Sequence, residues 1–230
     1  MKIKKLSWES DFFNKNVFLL EYESDSGKLL TVEEEVDFLV VQGDTCLNQI
    51  EINNFRKTYS ETKVVYTKNV ATELHLLSPN LIDFDAYAIE IQNLYNLAFE
   101  SGKYSRFKLD TTIDESYFIK LYQLWIDNSI NKSFADKCFY YKLENRIVGF
   151  ITLKIVEDTA TIGLIAVAPS IQGKGIGNGL LNIVENYCIQ NNCLNIDVAT
   201  QKHNELACSF YKKNNYIVKN ELNIAHFWKI

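Results

Sequence analysis

The chain has 230 residues, 47% of them hydrophobic, and a formal net charge of −5 with acidic and basic side chains mixed along its length. That length allows one large domain or two smaller ones, and the absence of a dense basic face argues against nucleic acid as a principal partner. No apolar run reaches the ~18–20 residues that span a bilayer, and the N-terminus meets Trp8, Glu9 and Asp11 without a signal core, so the expectation is a cytoplasmic protein with no membrane insertion.

In chain order, Val17–Tyr22 and Val36–Val41 read as strands, Thr45–Lys57 as a helix and Lys63–Lys68 as a strand. Strand-like Thr72–Leu77 precedes the turn Ser78-Pro79-Asn80, which suggests a smaller N-terminal α/β region over residues 1–78 and a second region over 79–230. Asp85–Glu100 has helical spacing. Thr112 and Glu115 fit a capping box that opens a helix carrying Phe118, Leu121, Tyr122 and Trp125 on one stripe. Strands Lys137–Leu143 and Ile147–Val156 flank the tight turn Glu144-Asn145-Arg146, and Ala160–Val167 follows as a third. Gly175–Gln190 is a long amphipathic helix, Leu194–Ala199 a strand, His203–Lys213 a helix, and Tyr216–Val218 and Leu222–Trp228 two closing strands. The sum is an α/β (α+β) chain with a mixed sheet and helices on its faces. The five scattered cysteines lack zinc spacing and read as reduced structural thiols, so no metal is expected.

The chemistry concentrates in Val167-Ala168-Pro169-Ser170-Ile171-Gln172-Gly173-Lys174-Gly175-Ile176-Gly177-Asn178. An apolar strand ends, proline forbids its continuation, and a glycine-rich turn leads into a long helix. Glycines bring bare N–H groups close to a bulky anion, and those groups are also the unpaired donors of a helix N-terminus. This is a pyrophosphate cradle. The spacing fits neither GxxxxGK[ST] nor GxGxxG.

Gln172-x-x-Gly175-x-Gly177 after Val-x-Pro resembles motif A of the GNAT acetyltransferases, in which this loop holds the pyrophosphate of coenzyme A. Downstream, Asn204-x-x-Ala207-x-x-x-Tyr211-x-x-x-Asn215-Tyr216 resembles the helix and strand that complete the site, with asparagine at 215 where glycine is usual. The resemblance implies the GNAT fold and acetyl-CoA as co-substrate, held by Gln172 to Asn178, Asn204 and Tyr211. It also implies a strand that splays at a bulge near Ile165-Ala166-Val167, leaving backbone for the pantetheine arm and an N–H for the thioester oxygen. Tyr211 would then protonate the departing thiolate as general acid. The base stays open, with His203 and His226 as candidates beside a water chain.

Leu6 to Phe13, Tyr104 to Phe107, Leu124 to Asn128 and Val198 to Gln201 are similar to the bacterial TDP-fucosamine acetyltransferase family, which implies a TDP-linked 4-amino-4,6-dideoxy sugar as acceptor. Ser105, Arg106 and Phe107 would then border the acceptor pocket, with a guanidinium and a ring suited to phosphates and a base. Other amines (a protein N-terminus, a lysine), a non-catalytic acyl-CoA-binding role and a homodimer stay open. So do structural roles: Tyr211 as a core aromatic, Asn204 as a helix cap, Arg106 in a salt bridge beside a packed Phe107, and Trp8, Phe12 and Phe13 as packing aromatics.

Overall fold

A computed structural model of the chain describes residues 2–23, 32, 35–47, 49–83 and 91–230. Ten strands form one mixed sheet: β1 (Lys2–Lys5), β2 (Val17–Glu21), β3 (Phe38–Gly43), β4 (Phe55–Asn69), β5 (Leu81–Asp83), β6 (Lys137–Leu143), β7 (Arg146–Val156), β8 (Thr159–Val167), β9 (Asn195–Gln201) and β10 (Ile217–Lys229). Their spatial order is β1-β2-β3-β10-β4-β9-β8-β7-β6-β5, parallel only at β2–β3 and β8–β9. Strands from both sides of residue 78 therefore share one sheet. The fold is that expected, α+β with a mixed open sheet and flanking helices.

Helices α5 (Ile176–Gln190) and α6 (Glu205–Lys213) cover one face, where Leu180, Val184 and Cys188 pack on Val64, Tyr66, Ile162 and Val198. Helices α2 (Ile91–Gly102) and α4 (Glu115–Ile130) cover the other, burying Leu94, Leu121, Tyr122 and Ile126 against Phe150, Leu164 and Ala166. Each fully buried apolar side chain of this size contributes about 1.5–3 kcal/mol. Toward the N-terminal strands, period-two alternation sends Leu39 and Val41 into one cluster and Phe38 and Val40 into another.

The hairpin β6–β7 turns through Glu144 and Asn145, both at positive φ, as a two-residue turn between right-twisted strands requires. Elsewhere the chain departs from the sequence expectation. Thr45–Lys57 is not a helix: Leu47, Ile52 and Phe55 fill a core cluster, Asn54 is left-handed, and Phe55 already pairs with Lys229 as β4 begins. Thr72–Leu77 is not a strand, because side chains of α5 take its backbone bonds. Asn186 Oδ1 accepts from His75 N at 2.7 Å, and its Nδ2 donates to His75 O at 2.9 Å.

The capping box is replaced. Asp114 is the N-cap of α4 and accepts from Ser116 N at 2.9 Å, while Glu115 pairs with Lys108. The two closing strands are one, β10, bulged at Lys219. Two elements not anticipated, β1 and helix α1 (Ser7–Phe13), precede β2, and a short helix α3 (Arg106–Leu109) joins α2 to α4. Helix α2 runs to Gly102, and residues 85–90 of its expected span lie outside the described residues. Phe12 and Phe13 pack against Tyr117, as packing aromatics should.

Candidate active site

The site begins where β8 leaves β9. The two strands pair only from Thr159↔Asn195 to Ile162↔Val198, after which β9 stays with β4 as far as Gln201 and β8 stays with β7 as far as Val167. A bulge drives them apart. The buried Thr152 of β7 places its Oγ1 2.9 Å from Leu164 N and takes the bond a carbonyl would normally accept. Beyond the bulge, Ala168 N bonds to Val148 O at 2.8 Å. Antiparallel alternation then turns the N–H groups of Ile165 and Val167 away from β7 and into the gap, while those of Ala166 face Phe150. Gln172 Nε2 caps the Val167 carbonyl at 2.9 Å, tying the turn to the strand end.

Past a 3-10 turn at Pro169–Ile171, the glycine turn opens α5. Gly173 (φ 77°) and Gly175 (φ 81°) both lie in the left-handed region, and a Cβ at either would meet nothing within 4 Å. The first N–H of the helix to find a backbone partner is that of Gly179, on Gly175 O at 3.1 Å. Among the described residues, the N–H groups of Gly173, Lys174, Gly175, Ile176, Gly177 and Asn178 have none. A row of unpaired amides at a helix N-terminus with open space before it suits a diphosphate in size and charge. Gly177 serves a different end: its Cβ would lie 3.1 Å from the Phe210 ring, so it lets α6 close on α5. Lys174 and Asn178 are exposed at the rim.

Helix α6 carries the remaining cofactor-side residues. Asn204 is its N-cap, accepting from Ala207 N at 3.2 Å and donating to Thr200 Oγ1 at 3.3 Å. The C-terminus closes by a Schellman motif around left-handed Asn215: Tyr216 N bonds to Tyr211 O at 3.0 Å and Asn215 N to Lys212 O at 3.1 Å. The same motif packs Tyr211 against Tyr216, with centroids 5.7 Å apart. Tyr211 is buried in one cluster with Ile165, Val167 and Ile176, and burial pushes its phenol pKa well above the ordinary value. Its hydroxyl has no protein partner among the described residues. The proton therefore stays on oxygen, available for donation.

The other face of the gap belongs to α3 and β4. Ser105 is buried, and Phe107 is spent on packing between Phe13 and Trp125, with the Arg106 guanidinium 4.7 Å over its ring. Arg106 forms no ion pair within 4 Å among the described residues, and its Nη1 lies 3.5 Å from His226 Nε2. His226 is fully buried. Its Nδ1 donates to Asp110 Oδ2 at 2.7 Å, which leaves Nε2 as the acceptor facing Arg106. Asp110 also accepts from Trp228 Nε1, Thr58 Oγ1 and Thr112 N. Burial acts to raise the Asp110 pKa, but these bonds outweigh it and hold the carboxyl below its usual range. Burial pushes His226 down to about 4, against the opposing pull of Asp110.

His226 is thus a locked, neutral orienting group, and not a base for the reaction. His203 is exposed, with Nε2 3.2 Å from Tyr104 O. The folded pKa of His226 lies below its unfolded value near 6.5, so the unfolded chain binds a proton first and stability falls as pH drops from about 6.5 to about 4. The expected loss over that window is about 3 kcal/mol. Asp110 adds a further loss as pH falls through its own depressed range. Thermal melts across the window should show His226→Gln with a flatter profile than the parent, and equal slopes would contradict this account.

The sequence did not point to Tyr59, Glu61 and Lys63. They alternate on β4, on the face they share with their β10 partners His226, Ile224 and Leu222, and so beneath Arg106. Tyr59 OH donates to Glu61 Oε2 at 2.8 Å. The signal available in the sequence was an unbroken polar run, Tyr59-Ser60-Glu61-Thr62-Lys63, directly before the apolar Val64-Val65-Tyr66.

The acetyltransferase (GNAT) family model matches residues 90–216, more than half of the chain. Streptothricin acetyltransferase A of Bacillus subtilis (strain 168) is 27% identical over 132 residues, 53% of this chain and 69% of that protein. Two solved structures share the fold. A GCN5-related N-acetyltransferase from Sphaerobacter thermophilus has TM-score 0.55 at 12% identity, covering 83% of this chain and 60% of its own. A conserved protein of unknown function from Staphylococcus epidermidis ATCC 12228 has TM-score 0.59 at 11% identity, covering 94% and 85%. Among the described residues no helix is long and apolar enough to cross a membrane. With the family match spanning this much of a chain whose sheet parts beside a turn of free amides, the chain belongs to the GNAT acetyltransferases and is an acyltransferase that draws on acetyl-coenzyme A.

Proposed function

We propose that the chain transfers acetyl from acetyl-CoA to the amine of a small molecule that carries an anionic group, the specific reading being a TDP-linked 4-amino-4,6-dideoxy sugar. The observation that carries the chemistry is the gap between β8 and β9, with the turn Gly173–Asn178 at its end and Tyr211 in the cluster on its α6 side. In this reading the six free amides hold the diphosphate, and the amides of Ile165 and Val167 meet the pantetheine arm and the thioester oxygen. A neutral amine entering from the α3 side attacks the carbonyl carbon, the C–S bond breaks, and Tyr211 gives its proton to the thiolate.

Support for the anion comes from Arg106, a guanidinium inside the fold that has no carboxylate within 4 Å among the described residues and is aimed by the Asp110–His226 pair. Residues 1–78 would then serve the acceptor side, since β4 supplies Tyr59, Glu61 and Lys63 there.

A second reading, a cationic amine of the streptothricin kind, is favoured by the similarity to streptothricin acetyltransferase A and by Glu61. Thiol release from acetyl-CoA should be followed with TDP-4-amino sugars, streptothricin, polyamines and peptides. Turnover led by the nucleotide sugars is expected. Turnover of peptides alone would overturn the acceptor assignment, and turnover led by streptothricin would install the second reading.

A further inference from the structure

An alkyl amine arrives protonated at neutral pH, and it cannot attack a thioester until a base has taken that proton. Neither histidine suggested by the sequence serves: His226 is locked against Asp110, and the ring of His203 lies exposed against Tyr104. The gap between β8 and β9 has another carboxylate beside it. On its far wall β9 ends at Gln201, opposite Lys63, and β4 carries the wall onward through Thr62 to Glu61. Lys202 N bonds to Thr62 O at 2.8 Å, closing the loop after β9 against this point.

Glu61 is only 9% exposed, yet it has no cation within 4 Å among the described residues. Among the described residues its carboxylate accepts one hydrogen bond, from Tyr59 to Oε2. A buried carboxylate without an ion partner is costly to keep, and such groups concentrate at working sites. The charged and titratable groups around it are Tyr59 and Lys63 on β4, Arg106 on α3, Tyr122 on α4 and His203 after β9. Burial raises the Glu61 pKa, and Tyr59, Arg106, His203 and Lys63 only partly oppose it. That moves a carboxylate toward the range in which it works as a base.

We propose that Glu61 is the base that deprotonates the acceptor amine, with Tyr59 holding one carboxylate oxygen so that the other meets the ammonium. This rests on the reading of the gap as the place of acyl transfer. An N–H bond of the ammonium breaks as an O–H bond forms on Glu61. The neutral nitrogen then bonds to the carbonyl carbon and the C–S bond breaks. The thiolate takes the Tyr211 proton, Tyr211 is restored by the second proton shed from nitrogen, and Glu61 releases the first to solvent.

The test compares the parent, Glu61→Gln, Glu61→Asp and Tyr59→Phe with the nucleotide sugar or other amine that the parent acetylates. Glu61→Gln should lower kcat/KM at pH 7 by about 10²–10⁴-fold, with the rate recovering about tenfold per pH unit as the amine itself becomes neutral. Glu61→Asp should restore part of the loss, and Tyr59→Phe should shift the acid limb of the pH profile. Acetyl-CoA affinity by calorimetry should match the parent's in all three variants. Parent-like rates and pH profile in Glu61→Gln would overturn the proposal alone, and so would loss of acetyl-CoA binding, which would mark a structural role. A parent that acetylates no amine in the panel would overturn the acyl-transfer reading and this assignment with it.

Discussion

Gly175→Leu should abolish acetyl-CoA binding, with affinity by calorimetry falling at least about 10²-fold, or about 2.7 kcal/mol. Two effects add. Gly175 sits at φ 81°, where an L side chain costs about 1–2 kcal/mol. The larger effect is spatial. Beyond its two chain neighbours, no atom of the described residues lies within 4 Å of the added Cβ, so the side chain projects into the open space before the free amides and takes the place of the diphosphate. The fold should survive, with a melting temperature lowered by only a few degrees. Gly177 offers the contrast, because a side chain there meets the Phe210 ring and should cost stability first. Retained acetyl-CoA affinity in folded Gly175→Leu would mean that the diphosphate lies elsewhere.

Tyr211→Phe should lower kcat by about 10²–10⁴-fold while acetyl-CoA binds as before. The ring is held independently of its hydroxyl, by Tyr66, Phe210 and Tyr216 and by the Schellman closure of α6, so phenylalanine keeps the packing. What disappears is one proton donor. Because burial keeps the phenol protonated, the parent's profile should show no inflection from Tyr211 between about pH 6 and 9, and any inflection there belongs to the amine and its base. An unchanged rate would assign protonation of the thiolate to water.

How far the sequence could be read follows the range of the interactions. From β6 to α6 the strands, the glycine turn and the helices are fixed by neighbours in sequence: a two-residue turn at Glu144-Asn145, a proline stop at Pro169, and a left-handed asparagine at 215. Periodicity and turn chemistry capture such features. The N-terminal region was misread because its partners are remote. Phe55 lies opposite Lys229, and no local signal announces that pairing.

Reading Thr45–Lys57 as helix and starting the next strand at Lys63 left Glu61 in unassigned chain, which is why no base emerged. The break placed within β10 has a similar origin. Ile217 to Glu221 are exposed and show no alternation, and β4 alone keeps them extended. For His226 the residue type suggested reactivity, but full burial and the Asp110 bond set its behaviour, and neither is visible in a string of letters.

Strand β10 joins β3 to β4, and among the described residues nothing else bridges them in the sheet. During synthesis, β1 to β4 leave the ribosome with their inner edges bare and must wait until residue 229 has emerged before the seam can be sealed. This N-terminal third of the chain is therefore exposed to strand-to-strand sticking for most of translation, and folding should be slow.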